Sequence, residues 1–322
     1  MAETGLTNSF VRGRRTGIID GINIIELGLE YSNSDNFFWR TVIFFRYSWL
    51  GIIIALKEKY DIIFATSTPL TAGIPGIFAK IIRQKVFIFE VRDLWPELPK
   101  AMGVITNPVI LKMMGWLETL TYKMATACIG LSPGIVKGIK RKDKNKQVVM
   151  IPNGCDLELI NNKKQIKQNT KFIAAFTGAH GFANGLDAVL DAAKILLKKG
   201  EVNIEIQFIG DGVLKPELKE RAKKENIYNC KFLNTMPKLD LFNYLQREAN
   251  VGLMILDNIP AFYYGTSPNK FFDYIALGLP VIINYPGWIA EIITQNNCGL
   301  AIRPKSPEAF SEALISMKNN KE

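Results

Sequence analysis

The sequence predicts an α/β protein of two domains, residues 1–153 and 154–322, and three observations carry that expectation. Short apolar runs alternate with helix-period segments from Asp61 to Ile151, the same alternation restarts at Lys171, and the polar stretch Asn161 to Thr170 (NNKKQIKQNT) between them reads as a linker. With 322 residues, 48% of them hydrophobic, the chain can build two cores.

In the first half, Gly13-Arg14-Arg15 and Asp20-Gly21 read as turns around a short strand, Ile22 to Leu27, and no glycine-bearing strand-to-helix turn opens the chain. Phe37 to Leu56 is aromatic and aliphatic, interrupted by Arg40 and Arg46. Its charge-free part, Tyr47 to Leu56, is too short to cross a bilayer, so a buried helix is expected over an interfacial one. Ile62 to Ala65 reads as a short buried strand, Thr66-Ser67-Thr68-Pro69 as a turn into a helix, and Lys85 to Glu90 as the next strand, in βαβ order. That strand runs into Val91-Arg92-Asp93-Leu94-Trp95-Pro96-Glu97 at the carboxyl edge of the expected sheet, where open α/β sheets bind ligands. A surface ion pair followed by a packing corner fits the same residues. Pro108 to Lys123 suits a helix, Ala125 to Gly130 a strand, Pro133 a helix start and Val148 to Ile151 a last strand, after which Pro152-Asn153-Gly154 turns the chain out.

In the second half, Lys171 to Phe176 reads as a strand, Thr177 to Gly185 as a glycine-rich turn containing Gly178 and Gly181, and Leu186 to Lys199 as a helix. Ile204 to Ile209 follows as a strand and opens into Gly210-Asp211-Gly212, with Lys215 just beyond. Val251 to Leu256 leads to the stretch TSPNKFFDYIALGLPVII, in which Ser267 suits an N-cap and Pro268 the first helical position. Free N–H groups at that helix start attract phosphate, and Lys270 in the first turn opposes the helix dipole unless an anion sits in front of it. Asp273, one turn on, is placed to accept hydrogen bonds from vicinal hydroxyls such as those of a ribose. An ordinary α/β helix explains the same residues. Gly278 ends the helix before the strand Pro280 to Ile283, and Cys298 to Ile302 closes the sheet.

Composition excludes several classes. Formal charge is +10, concentrated in residues 1–150, which carry 20 Lys and Arg against 12 Asp and Glu, so that half is expected to meet an anionic surface or acceptor. Lys137 to Lys146 holds six basic residues in ten. An anionic membrane surface suits it better than nucleic acid, which also calls for stacking aromatics or a reading helix. Cys128, Cys155, Cys230 and Cys298 are too far apart in sequence for a C-x-x-C pair, which argues against a disulfide framework or structural zinc and for a reducing compartment. The N-terminus lacks the apolar core of a signal peptide, and no apolar run reaches membrane-spanning length. His180, the one histidine, rules out a His-based triad and a multi-histidine metal site, and reads as a loop hydrogen-bonder.

The segments FEVRDLWPE, LSPG, IPNGCD, TGAHGFANGLD, IGDG and SPNKFFDYIALGLPVI, taken together, resemble the retaining glycosyltransferases of family 4, nearest to bacterial enzymes of the fucosamine-transferase type that build lipopolysaccharide and capsule. The resemblance implies two Rossmann-like domains facing each other. A nucleotide-sugar donor, UDP-linked in that subgroup, is held by the C-terminal domain, and a lipid-linked or glycan acceptor by the N-terminal one. No metal or other cofactor is implied. The implied location is cytoplasmic, at the inner face of a membrane. On this sequence the family's second acid falls on Asp273, its first on Gly265. Asn269, Lys270 and Ser267 fall near the diphosphate, and Gly178, Gly181 and Gly210 in the turns beneath it. The family's usual Arg and Lys in the first turn fall on Ala179 and Asn184, which leaves Lys270 and Lys215 to neutralise phosphate. Arg92 and Asp93 fall where relatives hold a catalytic-site histidine and its neighbour, so Asp93 is expected to orient sugar or acceptor. Against that pattern the chain looks shortened, without the first strand-helix-strand of the N-terminal domain or the final helix, and with an exposed sheet edge. A nucleotide-binding fragment without transferase activity and a nucleotide-sugar epimerase are the alternatives.

Overall fold

The computed structural model describes residues 4–30, 37–160 and 170–320. The expected linker therefore falls, over 161–169, outside the described residues. The chain forms two compact units. One comprises Met1–Pro96, Thr106–Gly130 and Ile135–Met150, the other Glu97–Ile105, Leu131–Gly134 and Ile151–Glu322. The short segments 97–105 and 131–134 thus group with the second unit.

The elements of the first half are β1 (Arg14–Ile19), β2 (Ile22–Leu27), α1 (Phe37–Lys57), β3 (Ile62–Thr66), α2 (Gly73–Arg83), β4 (Val86–Val91), α3 (Glu97–Ala101), α4 (Pro108–Met124), β5 (Ala127–Gly130), α5 (Pro133–Lys142) and β6 (Val148–Met150). β1 and β2 form an antiparallel hairpin. Its turn is Asp20-Gly21, both residues at positive φ, the geometry that matches the twist of the flanking strands. β1 (RRTGII) opens with three polar residues, which hides it from an apolar-run search, and Arg15 pairs with Glu26 across the hairpin at 2.9 Å. β3 to β6 form a parallel sheet in sequential order, over which Phe87, Phe89, Tyr122, Ile135 and Ile139 are buried. Asn107 caps α4, accepting hydrogen bonds from the N–H groups of Val109 and Ile110.

Two expectations for this half are overturned. β3 is an edge strand, with Ile62 and Phe64 57% and 55% exposed, because burial depends on what covers a strand and not on how apolar it is. α1 is a single helix of 21 residues and not a buried one. Among its described side chains only Ser48, Ile52 and Ala55 are buried, and Phe38–Lys57 is long and apolar enough to cross a membrane. The two arginines interrupt the apolar run in sequence without interrupting the helix.

The second half contains β7 (Phe172–Thr177), α6 (Asp187–Lys198), β8 (Ile204–Ile209), α7 (Lys215–Lys224), β9 (Cys230–Leu233), α8 (Lys238–Glu248), β10 (Val251–Met254), α9 (Pro260–Gly265), α10 (Asn269–Ala276), β11 (Val281–Ile283), α11 (Trp288–Gln295), β12 (Gly299–Ala301) and α12 (Pro307–Asn319). Its six parallel strands run in the order β12-β11-β10-β7-β8-β9. That is the doubly wound order, with its switch point between β7 and β10. One apolar layer packs Leu190, Phe208 and Phe310 on one face of the sheet, and a second packs Leu245, Tyr274 and Ile289 on the other. The strands read as nearly unbroken apolar runs because both faces are covered.

Tyr274 fixes α10 to this sheet. Its hydroxyl accepts from Thr177 N at 2.9 Å, donates to Ala175 O at 3.1 Å and lies 2.9 Å from Thr177 Oγ1, while its ring lies where any side chain on Gly252 would collide, 2.4 Å from a Cβ there. Substituting Tyr274→Phe leaves the buried Thr177 N–H without this acceptor. The denaturation midpoint of the second unit is expected to fall, with a loss of about 1–3 kcal/mol. An unchanged midpoint, measured by chemical denaturation followed by circular dichroism, would show that the hydroxyl does not hold the helix.

Candidate functional site

The turns after β7 and β8 and the start of α10 meet at the switch point of the second sheet. Gly178 N–H donates to Ile209 O at 2.9 Å and His180 N–H to Asp211 O at 2.8 Å, so the two turns continue the pairing of their strands. They touch backbone to backbone. A Cβ on Gly210, whose φ is +143°, would lie 2.0 Å from Gly178 O, so only glycine fits. At Gly181 nothing lies within 4 Å of a Cβ position, so no close contact there requires glycine.

Lys270 reaches from the first turn of α10 to this place. Its Nζ lies 4.0 Å from the centre of the Phe176 ring and 3.5 Å from where a Cβ on Gly178 would stand, and donates to Asn184 Oδ1 at 3.2 Å. Asn184 in turn donates through Nδ2 to Ala179 O at 2.7 Å, so it sets the direction of the lysine, a role not read from the sequence. Burial lowers the Lys270 ammonium to about 7, and no acid among the described residues raises it. A cation in that state is stabilised by any anion brought to it.

The helix start differs from the expected cap. α10 begins at Asn269, which is exposed, with Pro268 at the N-cap and no side chain capping the first turn. Ser267 stands one residue too early, and its Oγ accepts from Asn153 N–H at 3.0 Å while Asn153 Nδ2 donates to Ser267 O. The hydroxyl therefore ties the segment after β6 to α10 and leaves the N–H groups of the first turn uncapped by any side chain.

Asp273 lies on the same helix, its side chain 19% exposed, and its Oδ1 has no hydrogen-bond partner. Lys238 Nζ stands 3.6 Å from that oxygen and 3.5 Å from Asp156 Oδ2. Burial works against the Lys238 ammonium, but Asp273 and Asp156 outweigh it and hold its pKa above the ordinary value. The Cys155 thiol beside them is pushed up to about 11, first by burial and then by Asp273. Cys155, Asp156 and Lys238 come from segments distant in sequence, and no local pattern marks them as partners of Asp273.

Two expectations for neighbouring residues are overturned. Lys215 is buried, and its Nζ donates to Gly210 O at 2.7 Å and Leu233 O at 2.8 Å, so the ammonium braces the turn instead of facing an open phosphate position. The His180 side chain is no hydrogen-bonder in this loop. It is fully buried, with neither ring nitrogen hydrogen-bonded, packed against Phe176, Phe208 and Phe232, and burial lowers it to about 4. At Gly265, where the resemblance implies an acid, nothing lies within 4 Å of a Cβ position.

Arg92 and Asp93 form a separate cluster in the first unit, at the carboxyl edge of β3 and β4. Ser67 Oγ accepts from Arg92 N–H at 2.9 Å, Thr68 Oγ1 lies 3.1 Å from Asp93 Oδ2, and Arg92 Nη1 lies 3.8 Å from Glu90 Oε2, which also bonds Thr66 Oγ1. Burial raises the Asp93 carboxyl despite the opposing Thr68 hydroxyl and Arg92 charge.

Several solved structures share this fold. Sucrose-phosphate synthase from Thermosynechococcus elongatus superposes with a TM-score of 0.72 at 14% identity, covering 96% of this chain and 77% of that one. HepE from Anabaena in complex with UDP-glucose gives 0.63 at 13%, covering 86% and 72%. WaaG, a glycosyltransferase involved in lipopolysaccharide biosynthesis, gives 0.59 at 12%, covering 85% and 87%. No curated protein matches the sequence at a significant level. The family model for glycosyl transferases group 1 matches residues 159–322, which hold the glycine turns, Lys270 and Asp273, and this chain belongs to that family.

Proposed function

We propose that this glycosyltransferase moves a sugar, N-acetylated as in the fucosamine-transferase subgroup, from a UDP-linked donor to a lipid-linked or glycan acceptor with retention of configuration, in cell-surface polysaccharide synthesis. The observation that carries the reading is Lys270, a half-buried ammonium with no acidic partner among the described residues, set against the Gly178 turn beside an uncapped helix start. UDP-glucose in the HepE structure and the lipopolysaccharide role of WaaG support the donor and the pathway by analogy of fold.

In this reading the diphosphate lies before α10, where Lys270 and the first-turn N–H groups of Asn269 and Lys270 stabilise the charge that grows as the anomeric C–O bond breaks. Asp273 receives the ribose hydroxyls through Oδ1, which holds no hydrogen bond and has Lys238 Nζ 3.6 Å away. The acceptor oxygen bonds to the anomeric carbon on the face the diphosphate leaves, and its proton passes to the departing phosphate oxygen, so no enzyme nucleophile takes part. Asp93 orients the sugar or the acceptor hydroxyl, and Arg92 keeps a positive charge beside it. No divalent metal or other cofactor enters the scheme, and chelation with EDTA is expected to leave turnover unchanged. The enzyme works on the cytoplasmic side, with exposed lysines of the Lys137 to Lys146 run facing anionic lipid, and takes no nucleic acid as a partner.

Calorimetric titration with UDP tests the donor site. Lys270→Ala and Asp273→Ala are each expected to weaken binding by about 10- to 100-fold, the range for losing a charge-assisted contact. UDP binding that neither substitution changes would place the nucleotide elsewhere, and epimerisation of a UDP-sugar without acceptor would overturn the transferase reading.

The state of Lys270 adds a pH test. Its pKa of about 7 in the free protein rises when a diphosphate arrives, so binding at pH 8 takes up a proton, and affinity falls as pH rises above 7. Titrations at pH 8 in two buffers of different ionisation enthalpy are expected to show uptake in the parent protein and none in Lys270→Ala. Equal uptake in both would assign the proton to another group.

A further inference from the structure

The outer faces of α1, α2 and α4 take no part in the site described above. α1 packs along α2 and α2 along α4, so the three helices lie side by side in the first unit. Each exposes large apolar side chains, among them Phe38, Phe45 and Trp49 on α1, Ile81 on α2, and Met113 and Trp116 on α4. Trp39, Trp49 and Trp116, at 58%, 64% and 67% exposure, are three of the five tryptophans in the chain. Soluble monomers rarely leave a patch of this extent open to water.

The charges on the same helices identify the occupant. Together they hold seven Lys and Arg and a single acid, Glu118, which is 1% exposed. The polar rim of the apolar face is therefore basic. Tryptophans over an apolar face with a basic rim match an anionic bilayer surface, where indoles settle at the headgroup level and lysines snorkel outward. A second copy docked through the same face would set one basic rim against another.

We propose that this face is a monotopic membrane-docking surface, with α1 lying in the plane of an anionic bilayer and the exposed side chains of α1, α2 and α4 inserted at the headgroup–acyl boundary. α1 does not cross the membrane. Its Ser48 Oγ donates to Thr71 O at 2.8 Å, and Arg83 Nη1 donates to Ala55 O at 3.0 Å, bonds that a spanning helix would give up. The surface deepens the peripheral-membrane part of the proposed function and is independent of the nucleotide site.

The test uses the full chain with vesicles of phosphatidylcholine and phosphatidylglycerol in equal parts. Co-sedimentation is expected to survive high salt in part, and lipids brominated along the acyl chain are expected to quench tryptophan fluorescence. Phe45→Ser combined with Trp49→Ser should weaken vesicle binding by about tenfold or more, because apolar insertion sets the strength of such docking. Circular dichroism and UDP affinity should not change, which separates loss of docking from loss of fold or of the donor site. Four results would overturn the proposal: undiminished binding by the double variant, loss of binding on Lys137→Gln with Lys140→Gln but not on the double variant, retention of the parent protein in membranes after alkaline carbonate, or a concentration-dependent dimer without vesicle binding.

Discussion

The placement of the site depends on one phenol. Tyr274 crosses the middle of the second sheet, its ring over Gly252 on β10 and its hydroxyl on the end of β7, so α10 is hydrogen-bonded to one and packed on the other of the two strands that flank the switch point. Burial pushes the phenol pKa up, which keeps the hydroxyl protonated and able to serve as donor and acceptor at once. Lys270 and Asp273 lie on the same two-turn helix, so their positions relative to the glycine turns follow from this anchor. The absence of a side chain at Gly252 is a condition for it.

Around that anchor three lysines meet three different fates, and the differences are chemical. Lys215 donates to two backbone carbonyls and stiffens a turn. Lys238 stands between two carboxylates and keeps its proton firmly. Lys270 has an amide oxygen and an aromatic face, partners that orient a cation without cancelling its charge. An anion entering this region gains most from the lysine whose charge is least compensated.

The sequence made the alternation of strands and helices legible, because doubly covered strands are written as apolar runs and glycine turns mark their ends. The placement of Lys270 and Asp273 on one helix was legible for the same reason, since Pro268 and Gly278 bracket it. The role of Ser267 was not, because its hydroxyl is taken by Asn153, more than a hundred positions away in sequence. Nor was the direction of Lys215, which depends on a carbonyl at the end of β9. The burial of His180 depends on three phenylalanines from three different strands, β7, β8 and β9. The exposure of β3 and α1 follows from what covers them, which local hydrophobicity does not encode.

Gly265 ends α9 with open space where a side chain would project, and its backbone is one that any residue adopts. Sterics therefore do not hold this position as glycine, in contrast to Gly210, where the neighbouring turn excludes everything else. The two glycines therefore bear unequal loads. A side chain at 265 projects into open space and leaves the scaffold as it is, whereas one at 210 forces the two glycine turns apart.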